Sequence, residues 1–162
     1  MNLEQALRRL QDRVEIEELL ARYCRCADLF DPEGMAACFT QNCRVAYVPS
    51  SVAAPARSRQ ELLGFLCDYF PNSLSSAHYI TNVELLFDEP GQVTAHTYMY
   101  SWQRFKGYPD TADCHRYGRY EFRLEHTPDA WRICRLNLVS MGEYGGERIA
   151  EQFNRPWPPR FE

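Results

Sequence analysis

The stretch HYITNVELLFDEPGQVTAHTYMYSWQRF (78–105) decides the fold. Its two arms are long and rich in β-branched and aromatic residues, and the turn signal DEPGQ divides them. They read as strands over His78–Phe87 and Val93–Phe105. Downstream the pattern repeats as Cys114–Glu125 and Trp131–Met141, set off by KGYPDT and HTPDA, which predicts an antiparallel meander. Upstream the period changes. Leu3, Leu7, Leu10, Val14, Leu19, Leu20, Tyr23, Ala27 and Phe30 recur at steps of three and four among charges, the pattern of a long amphipathic helix. Asn2 is its N-cap, and it should stop near Asp31-Pro32, because proline disfavours helical geometry in the residue before it. Asp31 then caps a short helix through Met35, Ala36 and Phe39, with exit at Asn42. CRVAYV (43–48) reads as a first strand and PSSVAAPARS as a loop. Ser58 and Glu61 have capping-box spacing ahead of a third helix, LLGFLCDYF, closed by Pro71. Three helices before a curved, mostly antiparallel sheet make an α+β arrangement, with a conical cavity between the long helix and the sheet.

With 162 residues the chain suits one domain, placed at 1–142, followed by a tail over 143–162. The tail, with Phe153, Trp157 and Phe161 among prolines, suits lying across a neighbouring subunit or closing the pocket mouth. Net charge is −4 and the basic residues are spread out, so there is no stripe for nucleic acid. The N-terminus is charged throughout and no long apolar run occurs, so neither a signal peptide nor a membrane span is expected. Seven cysteines without C-x-x-C spacing point to reduced, mostly buried thiols in a cytoplasm and give a metal site little support.

Among the four histidines, His78 and His115 open strands, His96 lies mid-strand and His126 sits in a turn. A lone histidine is more often a surface or structural residue than a functional one, and the sequence leaves His78 and His115 there. Asp28 lies in the last turn of the first helix, where its charge opposes the helix dipole. It is either a solvated helix end or a carboxylate aimed into the cavity to hold a histidine.

RVEIEELLARYCRCADLFD, SSAHYITNVEL and GRYEFRLEHTPDAWRI, in this order and spacing, resemble the SnoaL-like branch of the nuclear-transport-factor-2-like (NTF2-like) superfamily over about residues 5–142. That branch includes scytalone dehydratase, hexachlorocyclohexane dehydrochlorinase and bile-acid 7α-dehydratase. The resemblance implies a cone-shaped α+β barrel, three N-terminal helices on a strongly curved sheet, and an aspartate–histidine pair falling on Asp28 and His78. The tyrosine that contacts the reacting oxygen in some of these enzymes falls on Tyr23. The chain departs from each relative: Trp102 stands where scytalone dehydratase has a second histidine, Tyr23 where the dehydrochlorinase has lysine, and no arginine falls near Ser140.

The resemblance therefore implies a cofactor-independent lyase or isomerase, with no metal, acting on a hydrophobic aromatic, steroid-like or polyketide-like molecule. A neutral imidazole suits proton removal from carbon, and a carboxylate on its other nitrogen fixes the tautomer. Tyr23, Tyr47 or Tyr100 would hold an enolate oxygen, Trp102 would stack on the substrate, and His115 and Asn82 complete the expected binding residues. A cyclase, or a ligand-binding or structural module like the small subunit of a ring-hydroxylating dioxygenase, would use the same fold. Under each reading a homodimer or homotrimer is expected.

Overall fold

The computed structural model of the protein describes residues 2–48, 55–107 and 113–145. Helix α1 spans Leu3–Asp28 and opens on a full capping box: Asn2 Oδ1 accepts from the Gln5 N–H, and Gln5 Oε1 accepts from the Asn2 N–H. It ends at Asp28, short of Asp31-Pro32, because Phe30 turns left-handed at φ 55° and the Asp31 N–H reaches back to the Cys26 carbonyl at 2.9 Å. A non-glycine residue there costs about 1 kcal/mol. Contact of the Phe30 ring with Phe70, centroids 5.8 Å apart, works against that cost. Asp31 caps α2 (Pro32–Ala37), its carboxylate accepting from the Gly34 N–H. Ser58 caps α3 (Arg59–Tyr69), but Glu61 accepts from the Arg57 N–H and so completes only half the expected box.

Only the second half of the α1 stripe enters the core. Ile16, Leu19, Leu20, Tyr23 and Ala27 are buried, whereas Leu3, Leu7, Leu10 and Val14 are all more than half exposed. The first half meets the sheet through polar side chains instead. Asp12 accepts from Trp131 Nε1 at 3.0 Å, and the Arg9 guanidinium lies 4.5 Å from the Phe87 ring centre.

Five strands follow: β1 (Phe39–Val48), β2 (Ser73–Glu89), β3 (Gln92–Phe105), β4 (Cys114–His126) and β5 (Trp131–Tyr144). They form one curved, unclosed sheet in the order β1-β5-β4-β3-β2. β2 to β5 are the expected meander, but β1 runs parallel to β5, so the sheet is mixed. β1 also starts earlier than the sequence suggested. Phe39 and Asn42, read as the end of the second helix, are strand residues, and Phe39 is wholly buried opposite Ile133. β2 likewise begins at Ser73, which leaves His78 inside the strand rather than at its start. Beyond Tyr144 and Gly145 the expected tail lies outside the described residues.

Of the register irregularities in the sheet, one on β2 and one on β5 decide which side chains face the helices around His78. On β2, Ser76, His78 and Ile80 point inward until the register shifts between Thr81 and Glu84, after which Val83, Leu85 and Phe87 do. On β5 a first shift lies between Ile133 and Arg135, and the one near the site lies between Ser140, opposite Gly118, and Gly142, opposite Tyr117. It turns Glu143 inward opposite Arg116 and Tyr144 outward opposite His115. Gly118 permits this shift, because a Cβ there would lie 2.5 Å from the Val139 carbonyl oxygen. Gly118→Ala should therefore cost about 2 kcal/mol or more in urea unfolding. Gly64→Ala, in α3 with nothing within 4 Å of the new Cβ, should instead stabilise by about 1 kcal/mol.

Candidate active site

The end of α1 and the first half of β2 meet at Asp28. Its Oδ2 accepts from the His78 backbone N–H at 3.0 Å, and its Oδ1 accepts from Ser76 Oγ at 2.9 Å. Oδ1 also meets His78 Nδ1 at 2.7 Å. An ionised carboxylate can only accept, so Nδ1 carries the proton and Nε2 is the basic nitrogen. Burial pushes the Asp28 carboxyl up, but the hydrogen bonds from the His78 ring, the His78 backbone and Ser76 outweigh it. Asp28 therefore titrates below its ordinary range.

His78 lines a cavity of about 70 Å³ between the helices and the concave face of the sheet. Asp28 stands behind the ring, not in the cavity. It faces an open groove between α1 and the edge strand β2, and His78 borders that groove as well. The cavity wall carries Tyr23 of α1 and Tyr47 of β1, whose hydroxyls lie 3.1 Å apart. Burial, reinforced by the neighbouring phenols Tyr120 and Tyr47, holds the Tyr23 phenol well above its ordinary range, and burial raises Tyr47 too. Both phenols stay protonated, and since one donates to the other, one O–H is left for a ligand. On the sheet side the wall carries Ser101, Gln103 and Arg116. Arg116 is held to Glu143 at 2.8 and 3.1 Å, and Gln103 accepts from the Tyr69 hydroxyl at 2.8 Å.

Asp28, His78, Tyr23 and Tyr47 are thus brought together, Asn82 borders the groove that Asp28 and His78 share, and Tyr100, Trp102 and His115 lie apart. Tyr100 and Trp102 alternate with the inward Met99, Ser101 and Gln103, which puts them on the outer face of the sheet. There the Trp102 indole donates to Asp113, which also takes two bonds from Arg104. The Tyr100 hydroxyl lies 2.7 Å from His115 Nδ1, and the His115 ring stacks on Tyr144 with centroids 4.2 Å apart. Asn82 is exposed, with φ 53°, in the register shift of β2; its short polar side chain tolerates the left-handed conformation, which is what this position asks of it. Arg116, Glu143, Ser101 and Ser76 went unnoticed in the sequence. Cys114, Arg116, Gly118, Tyr120 and Phe122 alternate on β4, so strand parity anchored on the apolar members would have placed Arg116 inside. Among the described residues no three His, Cys, Asp or Glu side chains converge as for a metal ion.

The lowered Asp28 titration makes stability depend on acid. A carboxyl depressed on folding contributes fully above its unfolded value, near 3.9, and loses that contribution as pH falls through the folded value. The Tm difference between the wild-type protein and Asp28→Asn should shrink steadily as pH falls below about 4. A difference that stays constant down to pH 2 would contradict the pairing.

None of the curated proteins matches the sequence. The fold resembles that of a provisionally named scytalone dehydratase from Novosphingobium aromaticivorans: TM-score 0.77 and 20% identity over 85% of this chain and 89% of that one. It also resembles a type 2 hexachlorocyclohexane dehydrochlorinase (TM-score 0.74, 16% identity, 85% and 90% covered). A third similar structure is an NTF2-like protein with a cystatin-like fold from Novosphingobium aromaticivorans (TM-score 0.71, 23% identity, 94% of each chain). The SnoaL-like domain matches residues 8–137, and with that match and its α+β NTF2-like fold the chain belongs to the SnoaL-like family.

Proposed function

We propose that this protein is a cofactor-independent lyase or isomerase that removes a proton from carbon in a small hydrophobic cyclic molecule. The observation that carries this reading is the 2.7 Å contact between Asp28 Oδ1 and His78 Nδ1, with the imidazole on the cavity wall. In this arrangement Nε2 accepts the proton and the Asp28 carboxylate stabilises the imidazolium that forms. In an elimination the imidazolium returns its proton to the departing hydroxyl. Of Tyr23 and Tyr47, kept protonated by burial and bonded to each other, the one that accepts within the pair has its O–H left to donate to that oxygen. The dehydratase and dehydrochlorinase names among structural neighbours support the reaction class and leave the substrate open.

One observation favours a second reading, a binding or structural module. The cavity is about 70 Å³, whereas pockets for drug-sized ligands run to several hundred. The two readings separate in D2O. Under the enzyme reading the wild-type protein exchanges α-hydrogens of small cyclic ketones for deuterium, followed by proton NMR. His78→Ala and Asp28→Asn should each slow exchange by about 10²- to 10⁴-fold while melting cooperatively. Tyr23→Phe should slow it by about tenfold. Wild-type exchange rates in His78→Ala would sink the enzyme reading in favour of the module.

A further inference from the structure

One row of register partners crosses the concave face of the sheet. His78 on β2 lies opposite Ser101 on β3, Ser101 opposite Arg116 on β4, and Arg116 opposite Glu143 on β5. Directly opposed residues of antiparallel strands share a face, and His78, Ser101 and Arg116 all line the cavity. Two strand spacings, about 10 Å, therefore separate the backbone positions of His78 and Arg116, with Ser101 between them.

The row carries unused donors. A guanidinium has five N–H groups. Arg116 donates from Nε and Nη2 to Glu143, and Nη1 makes no hydrogen bond among the described residues. The Ser101 hydroxyl, on a residue only 5% exposed, makes none either. Neither atom is sealed in packed protein, unlike Ser73 Oγ and Thr97 Oγ1, the unpartnered hydroxyls that are. Both thus border open space, and the space their residues line is the cavity.

The charge around these donors selects what they can hold. Glu143 already neutralises the guanidinium, and Asp28 stands behind His78. A carboxylate ligand would lose its hydration and gain no net positive partner. An uncharged oxygen acceptor meets the donors without that penalty.

We propose that Ser101 and Arg116 form a carbonyl-binding subsite, and that the ligands of this cavity are uncharged ketone-type molecules with the adjacent C–H against His78. The proposal rests on His78 as the base. The C–H bond breaks, its proton goes to Nε2, and its electron pair moves onto the carbonyl oxygen, giving an enolate on the Ser101 and Arg116 donors. In a β,γ-unsaturated ketone the resulting dienolate takes the proton back from Nε2 at its γ-carbon, which gives the conjugated isomer. Expulsion of a β-hydroxyl that takes the proton from Nε2 gives an enone and water.

Cyclohexanone labelled with ¹³C at the carbonyl, compared with cyclohexanecarboxylate, tests this by NMR titration. The wild-type protein should bind the ketone at least about tenfold more tightly than the carboxylate, and the carbonyl resonance should move downfield. Arg116→Gln alone would strand Glu143, so the variant to use is Arg116→Gln/Glu143→Gln, which should weaken ketone binding about tenfold and abolish the shift. Ser101→Ala should weaken binding about threefold, and it decides alone if the double variant does not fold by circular dichroism. His78→Ala should keep binding and shift while losing deuterium exchange. Binding and shift in the wild-type protein without exchange would remove the base and leave the subsite standing. Carboxylate binding as tight as ketone binding, no ketone binding by the wild-type protein, or unchanged binding in a folded subsite variant would overturn the subsite.

Discussion

A carboxylate in the last turn of a helix faces the negative end of the helix dipole, and partial burial adds a desolvation cost to that repulsion. Asp28 is held in this position by donors from a single strand: the Ser76 hydroxyl, the His78 backbone N–H and the His78 ring. These bonds do several things at once. They dock the end of α1 onto β2, keep the carboxylate ionised, and fix the imidazole tautomer with Nε2 free. The chain after Asp28 is shaped to suit: Phe30 accepts a left-handed conformation and Asp31 turns back to Cys26 before capping α2. Removing the carboxylate would loosen the helix, the strand and the ring together.

The second constraint is strand parity. A residue on β2 to β5 faces the cavity or the outside by count alone, and each register shift reverses the count from that point on. Asn82 marks the reversal on β2, and Gly118, by lacking a Cβ, lets β5 reverse beside it. The second reversal sends Glu143 to Arg116 and Tyr144 to His115. A buried guanidinium needs such a partner, because alone it would cost several kcal/mol. The cation on the cavity wall thus depends on a glycine two residues away on the same strand.

What was legible in the sequence was local. Asn2, Asp31 and Ser58 announce their helices because a cap is a bond between residues three apart, and the turns of the meander are spelled in Pro, Gly and Asp. The positions of Asp28 and His78 came from the resemblance; neither periodicity nor composition singles them out. Tyr100, Trp102 and His115 take the outer face, which aromatic content could not foretell, because it says nothing about which face of a strand a ring takes. Met99, Ser101 and Gln103 between them hold the inner face, and the wider aromatic side chains build an outer ladder instead. Arg116 was missed for the complementary reason: a charge amid a strand suggests the outer face until its neighbours Cys114, Tyr120 and Phe122 are counted. The register shifts themselves depend on the approach of the Val139 carbonyl to Gly118, a contact between strands that no single segment encodes.

Among the described residues, the charges in and just behind this cavity wall are matched within the protein. Arg116 is matched by Glu143, Asp28 is bound by His78 and Ser76, and burial holds Tyr23 and Tyr47 neutral. Such a wall offers hydrogen-bond donors without a net field that would draw in a charged ground state. In the proposed reaction the first unbalanced charge to appear is the one created by proton removal, on the substrate oxygen, with a matching imidazolium at His78. Donors that gain little from a neutral ketone gain more from an enolate, since a hydrogen bond to an ionised acceptor is about twice as strong. The difference between those two states, rather than the strength with which the ketone is held, is what accelerates a reaction. A protein that neutralises its own ions in advance keeps that difference large.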